Sequence, residues 1–159
     1  MKRLRSRIQA LIQEPRPGSA GPLGRVLQAI ARAYGAVLTQ RARWYETGRL
    51  PSKRLPCGVV SVGNLTVGGT GKTPMTLWLA REFAGAGRRT AIVSRGYRGR
   101  AEAGGGVVSD GASLLLKADA AGDEPFMMAE HLLAAGLDVP VVVGRDRVAA
   151  GMLAVSRFA

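Results

Sequence analysis

Residues 59–74 read VVSVGNLTVGGTGKTP, an apolar run that breaks into glycines and ends on a lysine and a threonine. Within it, Thr66-Val67-Gly68-Gly69-Thr70-Gly71-Lys72-Thr73 fits the phosphate-loop pattern GxxxxGK[ST], with Thr66 standing where the first glycine usually does. The residue types answer a physical demand. Phosphate oxygens must come close to backbone N–H groups, and Gly68, Gly69 and Gly71 give the clearance and the backbone freedom that a Cβ would deny. Lys72 would reach the β- and γ-phosphates, the Thr73 hydroxyl would hold Mg²⁺, and the positive end of the following helix would face the pyrophosphate. A glycine run by itself is as well explained by a flexible turn. Here an apolar strand precedes it and an amphipathic helix follows, so ATP and Mg²⁺ are the expected cofactors. Val67 occupies the position where membrane-associated partitioning ATPases carry an extra lysine, which counts against that subclass.

On either side of this loop, Val59–Val62 reads as a strand, Thr73–Ala86 as a helix closed by Gly85 and Gly87, and Thr90–Ser94 as a second strand. Val107–Ser109, a turn at Asp110-Gly111 and Ser113–Lys117 read as a hairpin or excursion. Glu124-Pro125 opens a helix to about Ala135, Val139–Val143 is a buried strand, and Asp146–Arg157 is a last helix. Strand, glycine loop, helix, strand predicts an α/β fold: a P-loop NTPase-like parallel sheet flanked by helices, incomplete within this length.

The 159 residues suffice for one core, and 47% hydrophobic with 21% charged residues is a folded balance. The net charge of +12 is unevenly spread: residues 1–54 hold 12 Lys/Arg against 2 Asp/Glu, leaving 11 against 9 for 55–159. Two regions follow, a basic leader (1–54) and a nucleotide-binding domain (55–159). In the leader, Leu4, Ile8, Leu11 and Ile12 share a face of a short basic helix across Met1–Gln13. After the break at Glu14–Pro22, Leu23, Leu27, Ile30, Ala31, Tyr34, Val37 and Leu38 resume the stripe, and Trp44 and Tyr45 follow among arginines. No run reaches the roughly 18 apolar residues that span a bilayer. The leader suits either an anionic membrane surface, through residues 1–50, or packing on its own domain. A nucleic-acid partner is not expected, because the charge lies beside apolar stripes with no recognised motif. Cys57 has no disulfide partner and no neighbours at metal-ligand spacing.

Five blocks in order, SVGNLTVGGTGKTP, IVSRGYRGR, VVSDG, AGDEP and VPVVVGRDR, resemble the tetraacyldisaccharide 4'-kinases over about residues 20–157. The resemblance implies transfer of the γ-phosphoryl group of ATP, with Mg²⁺, to the 4'-hydroxyl of an acylated disaccharide 1-phosphate in lipid A biosynthesis. It also implies a peripheral location at the cytoplasmic face of the bacterial inner membrane, with the leader docked there. Asp123 of Gly122-Asp-Glu-Pro125 matches the aspartate that activates the attacking hydroxyl; from the residues themselves it serves equally as the N-cap of a helix starting at Glu124. Arg95 and Tyr97 follow a strand end, where a substrate phosphate or sugar could be met, or where an arginine is simply solvated. Arg145 and Arg147 have the same standing, with ion pairing to Asp146 as their alternative. His131 does not match the family's catalytic histidine and reads as structural.

Phosphoryl transfer needs a second acidic group for Mg²⁺, and no candidate stands out; Asp146 comes three residues late after Val143. By the resemblance, the acidic strand end, the histidine partner and a second domain would follow Ala159. The 159 residues are therefore expected to bind nucleotide while having little kinase activity alone. The competing classes are a regulatory membrane-bound P-loop ATPase and a non-enzymatic basic nucleic-acid-binding protein.

Overall fold

The computed structural model describes residues 22–64 and 70–159. The reading of Met1–Gln13 as a helix and the glycine-loop positions Thr66, Val67, Gly68 and Gly69 lie outside the described residues. The chain divides into two compact units, Met1–Ser52 and Lys53–Ala159.

The first unit contains helix α1, Pro22–Glu46. Proline at its first position costs no hydrogen bond, since that N–H has no intrahelical acceptor. Thr47 N–H and Thr47 Oγ1 both donate to the Arg43 carbonyl, and Gly48, at φ 71°, ends the helix in the left-handed conformation that glycine adopts without strain. Val26, Ile30, Tyr34, Val37 and Leu38, at helical spacing, are all exposed, as are Trp44 and Tyr45. Arg25, Arg32 and Arg43 recur after two and three turns on the other side.

The second unit is built on a three-stranded sheet in the order β1-β3-β2, formed by β1 (Ile92–Ser94), β2 (Gly106–Ser109) and β3 (Val141–Val143). Strand β3 is central, and its three valines are fully buried, the continuous apolar run expected of a strand covered on both faces. Val141 and Val143 point into a core with Ile92, Val108, Met128, Ala129 and Leu132, while Val142 faces Val107, Ala150 and Ala154. Helices α2 (Lys72–Gly85) and α4 (Asp123–Ala134) cover the first face, and α5 (Arg147–Phe158) the second. A short α3, Ala118–Ala121, precedes α4, and a 3₁₀ turn spans Arg100–Glu102.

Two strand readings need correction. β1 and β3 pair in parallel as expected, but β2 runs antiparallel against β3, so the sheet is mixed. The chain returns at once after β2: the Asp110 carboxylate accepts from the N–H groups of Ala112 and Ser113, closing a tight turn, and Ser109 bridges to Leu114. Val59–Val62, read as the first strand, is not in the sheet; Val59 and Val60 are 68% and 61% exposed. β-branched residues favour extended backbone, but a strand exists only where a neighbour supplies ladder hydrogen bonds, and this run has none among the described residues.

Candidate functional site

Gly71 (φ 75°) stands at the head of α2 in the left-handed region, and its carbonyl accepts from Met75 N–H. Lys72 is the first helical residue and exposed, and Thr73 follows it half-buried. These residues, with Thr70, are the part of the predicted loop that the structure describes. A positive φ at Gly71 lets the chain turn sharply into the helix, so that its first N–H groups stay directed outward and unclaimed by the helix itself.

The second contribution comes from the start of α4. Gly122, at φ 87° and ψ 150°, holds the cap position, and Asp123 and Glu124 form the exposed first turn. Asp123 is thus the first helical residue and not the N-cap; that duty falls to glycine. Two carboxylates in a first turn are favoured by the helix dipole. Their consequence for the site is that the Thr73 hydroxyl donates a hydrogen bond to Glu124 Oε1 across 51 residues of sequence. Glu124 is thus the carboxylate that the fold brings to Thr73; no acidic residue at a strand end does so among the described residues. The only sequence signal of Glu124 was its place beside Asp123 in GDEP, where it reads as a helix opener.

A third contribution lies at the carboxyl ends of β1 and β3, held together by Gly144 N–H donating to the Ser94 carbonyl. Arg95 Nε donates to Glu102 Oε1 at 2.8 Å, the Arg98 N–H donates to Glu102 Oε2 at 3.1 Å, and Arg145 Nε lies 4.0 Å from Glu102 Oε1. The Arg145 N–H also donates to the Glu102 carbonyl at 2.7 Å. The hydrogen bond from Arg95 above all, then the Arg98 N–H and the charges of Arg95 and Arg145, hold the Glu102 carboxyl below its ordinary range against its partial desolvation. Arg147 reaches the Gly144 carbonyl at 3.4 Å; burial first, then the neighbouring charge of Arg95, pulls its guanidinium below the ordinary arginine value, and it remains protonated. Sequence reasoning named Arg95, Arg145 and Arg147 separately and missed Glu102, the carboxylate that gathers two of them. Tyr97 is 64% exposed, with Arg98 stacked on its ring at 5.3 Å.

Asp146 does something else. Its carboxylate accepts from the N–H groups of Val148 and Ala149 at 2.8 and 3.0 Å, capping α5, and these bonds, that from Ala149 first, hold its pKa below the ordinary carboxylate range. The ion pairing of Arg145 is thus with Glu102, and Asp146 is a cap. His131 is exposed in the last turn of α4, where a basic group complements the helix dipole.

A glycine turn into a helix whose threonine meets a carboxylate from a later helix, with the carboxyl ends of parallel strands in the same unit, suits a P-loop kinase, and the fold puts the chain in that class. The sequence profile of the tetraacyldisaccharide-1-P 4'-kinases matches residues 23–159, and the chain belongs to that family. It is 46% identical over 158 residues to a tetraacyldisaccharide 4'-kinase of Desulfatibacillum aliphaticivorans, covering 99% of this chain and 42% of the relative. It is 46% identical over 136 residues to that of Geobacter sulfurreducens, covering 86% and 37%. Among solved structures, LpxK from Aquifex aeolicus in complex with ATP superposes with a TM-score of 0.69 at 36% identity, covering 84% of this chain and 40% of that one. The chain spans about two fifths of the length of the relatives it matches.

Proposed function

We propose that this protein takes part in ATP-dependent phosphorylation of the 4'-hydroxyl of an acylated disaccharide 1-phosphate, the lipid A precursor, at the cytoplasmic face of the bacterial inner membrane. The observation that carries the reading is the convergence of Thr73 and Glu124: the residue predicted to serve Mg²⁺ meets a carboxylate, and both offer the hard oxygen donors that Mg²⁺ prefers. When bound, Mg²⁺ would neutralise charge developing on the transferring phosphoryl group. Thr73 and Glu124 would hold it.

The remaining roles fall to this chain's own groups. Backbone N–H groups from Thr66 to Thr73 would cradle the triphosphate, with the Lys72 ammonium on its β- and γ-oxygens. Asp123, one residue before Glu124, would accept a hydrogen bond from the attacking hydroxyl and take its proton as the O–P bond forms. Arg95, Arg145 and Arg147, and the ring of Tyr97, would meet the anionic disaccharide. The exposed apolar stripe of α1, opposed by Arg25, Arg32 and Arg43, supports docking of residues 1–50 on an anionic membrane surface.

The test is transfer from γ-labelled ATP to acylated disaccharide 1-phosphate in mixed micelles, using the natural protein. Label on the lipid is expected, with Asp123→Asn slower by about 100-fold or more, the usual worth of a positioned base. Hydrolysis of ATP that proceeds at full rate with no labelled lipid would contradict the reading.

A further inference from the structure

In the loop between β1 and the 3₁₀ turn, Arg95, Tyr97 and Arg98 are exposed, yet the glycines among them, Gly96 and Gly99, are buried. They are buried against backbone. A Cβ on Gly99 would fall on the Ala120 carbonyl oxygen and within 2.6 Å of Ala121 C and Gly122 N. One on Gly96 would lie 3.0 Å from the Ala121 carbonyl oxygen and equally close to Val143 Cβ, and one on Gly122 would lie 2.8 Å from the Tyr97 carbonyl oxygen. Three glycines from two segments thus let main chain approach main chain, at Gly99 and Gly122 with backbone atoms alone and at Gly96 with the Val143 side chain beside them. On one flank of this seam is Arg95, tied through Glu102 to Arg145; on the other is Asp123-Glu124, tied through Glu124 to Thr73.

Gly99 separates close approach from backbone conformation. Its φ of −79° and ψ of 146° suit any residue, so only the contact demands glycine there. Gly96 and Gly122, at φ 70° and 87°, need glycine for both reasons.

We propose that Gly99 is a positioning residue: the seam of Gly96, Gly99 and Gly122 makes the arginine loop and the Asp123–Glu124 helix start move as one body, so that nucleotide arriving at Thr73 also sets the acceptor-binding loop. This deepens the kinase reading and rests on it. ATP with its metal held at Thr73 and Glu124 would replace the hydrogen bond between them, since those two oxygens are the donors the metal would take. That adjustment shifts the start of α4, and a close-packed backbone contact cannot absorb a shift as a flexible side chain would. The loop follows. Two arrangements of one element, biased from both sides, are what coupling between sites requires.

The test is amide hydrogen exchange of the wild-type protein with and without ATP and Mg²⁺, repeated on Gly99→Ala and on Gly104→Ala, whose added Cβ would meet nothing within 4 Å. In wild type and Gly104→Ala, nucleotide should slow exchange at residues 70–73, at 120–126 and, in step, at 96–102. In Gly99→Ala, ATP affinity should stay within about threefold, as expected for a site not in direct contact, while the response at 96–102 disappears. A purely structural role for Gly99 would lower melting temperature and leave that response intact. Protection at 70–73 and 120–126 of wild type with none at 96–102 overturns the coupling alone, and this holds even if Gly99→Ala does not fold. No protection at 70–73 overturns the nucleotide reading and the coupling together.

Discussion

At the residue scale, the carboxylates divide into those that finish backbone hydrogen bonding and those that do not. Asp146 and Asp110 satisfy N–H groups of a helix start and of a turn, and both are more acidic than the ordinary value of 3.8 for that reason. A folded-state value below the unfolded one means stability that is present above the unfolded value and lost as pH falls through the folded one. Asp146→Ala should therefore be less stable than wild type at neutral pH, and the difference should shrink as pH drops through and below 3.8; thermal melts from pH 7 to pH 2 check this. Asp146→Asn should keep the cap and flatten the pH dependence. Glu124 instead faces Thr73. Glu124→Gln preserves shape but removes charge, so Mg²⁺-dependent ATP binding should weaken about tenfold or more while Mg²⁺-free binding changes little, as calorimetry with and without a chelator would show. Asp146 was legible as the start of the last helix, as a late acidic residue after a strand and as an ion-pair partner for its flanking arginines, with nothing to choose among them. The sequence cannot tell a cap from a ligand, because both need a short carboxylate beside a helix start.

At the element scale, α2, α4 and α5 were legible to within a residue, and for α2 and α4 glycine marks the ends by a backbone requirement that no neighbour can alter; α1 instead runs on through Trp44 and Tyr45 to Glu46, and the short α3 carried no signal. Gly71 and Gly122 open α2 and α4, and Gly87 and Gly136 lie in the left-handed region just past their ends. The strands were less legible. Val59–Val62 has the composition of a strand and no ladder partner among the described residues; the turn at Asp110-Gly111 was legible, but β2 runs antiparallel to β3 because the chain reverses between Ser94 and Gly106, a stretch whose residues carry no signal of direction. The loop after β1 contains Arg98 at φ 63°, the single non-glycine residue with positive φ among those described. A left-handed L-residue costs roughly 1 kcal/mol, so Arg98→Gly should be neutral or stabilising by up to about that amount despite loss of the contact with Tyr97. Chemical denaturation of the two proteins measures it; destabilisation of similar size would mean that the arginine side chain matters more than its backbone.

At the scale of the whole molecule, the charge and the chemistry occupy different units. The basic residues of 1–54 accompany a helix with an exposed apolar stripe, and no helix among the described residues is long and apolar enough to cross a membrane. If α1 lies on an anionic surface, each arginine there contributes about 1 kcal/mol, roughly a fivefold change in affinity. Arg25→Gln/Arg32→Gln should bind phosphatidylglycerol vesicles at least tenfold more weakly in a flotation assay at low salt, and Ile30→Asp should weaken binding at any salt concentration. The second unit, far less charged with 13 Lys/Arg against 9 Asp/Glu, brings three sequence-separated motifs to one end of its sheet. Their family likeness was legible because each motif is a run of adjacent residues. The pairs Thr73–Glu124 and Arg95–Glu102 were not, because they are made by the fold.

All of this depends on the turn Gly71-Lys72-Thr73 holding the phosphates of ATP, and titration calorimetry of ATP into wild-type protein and Lys72→Ala tests it most directly. Removal of an ammonium that faces two phosphates should weaken binding by roughly tenfold to a hundredfold in a sample whose circular dichroism and melting curve match wild type. Equal affinity of the two folded proteins would contradict it.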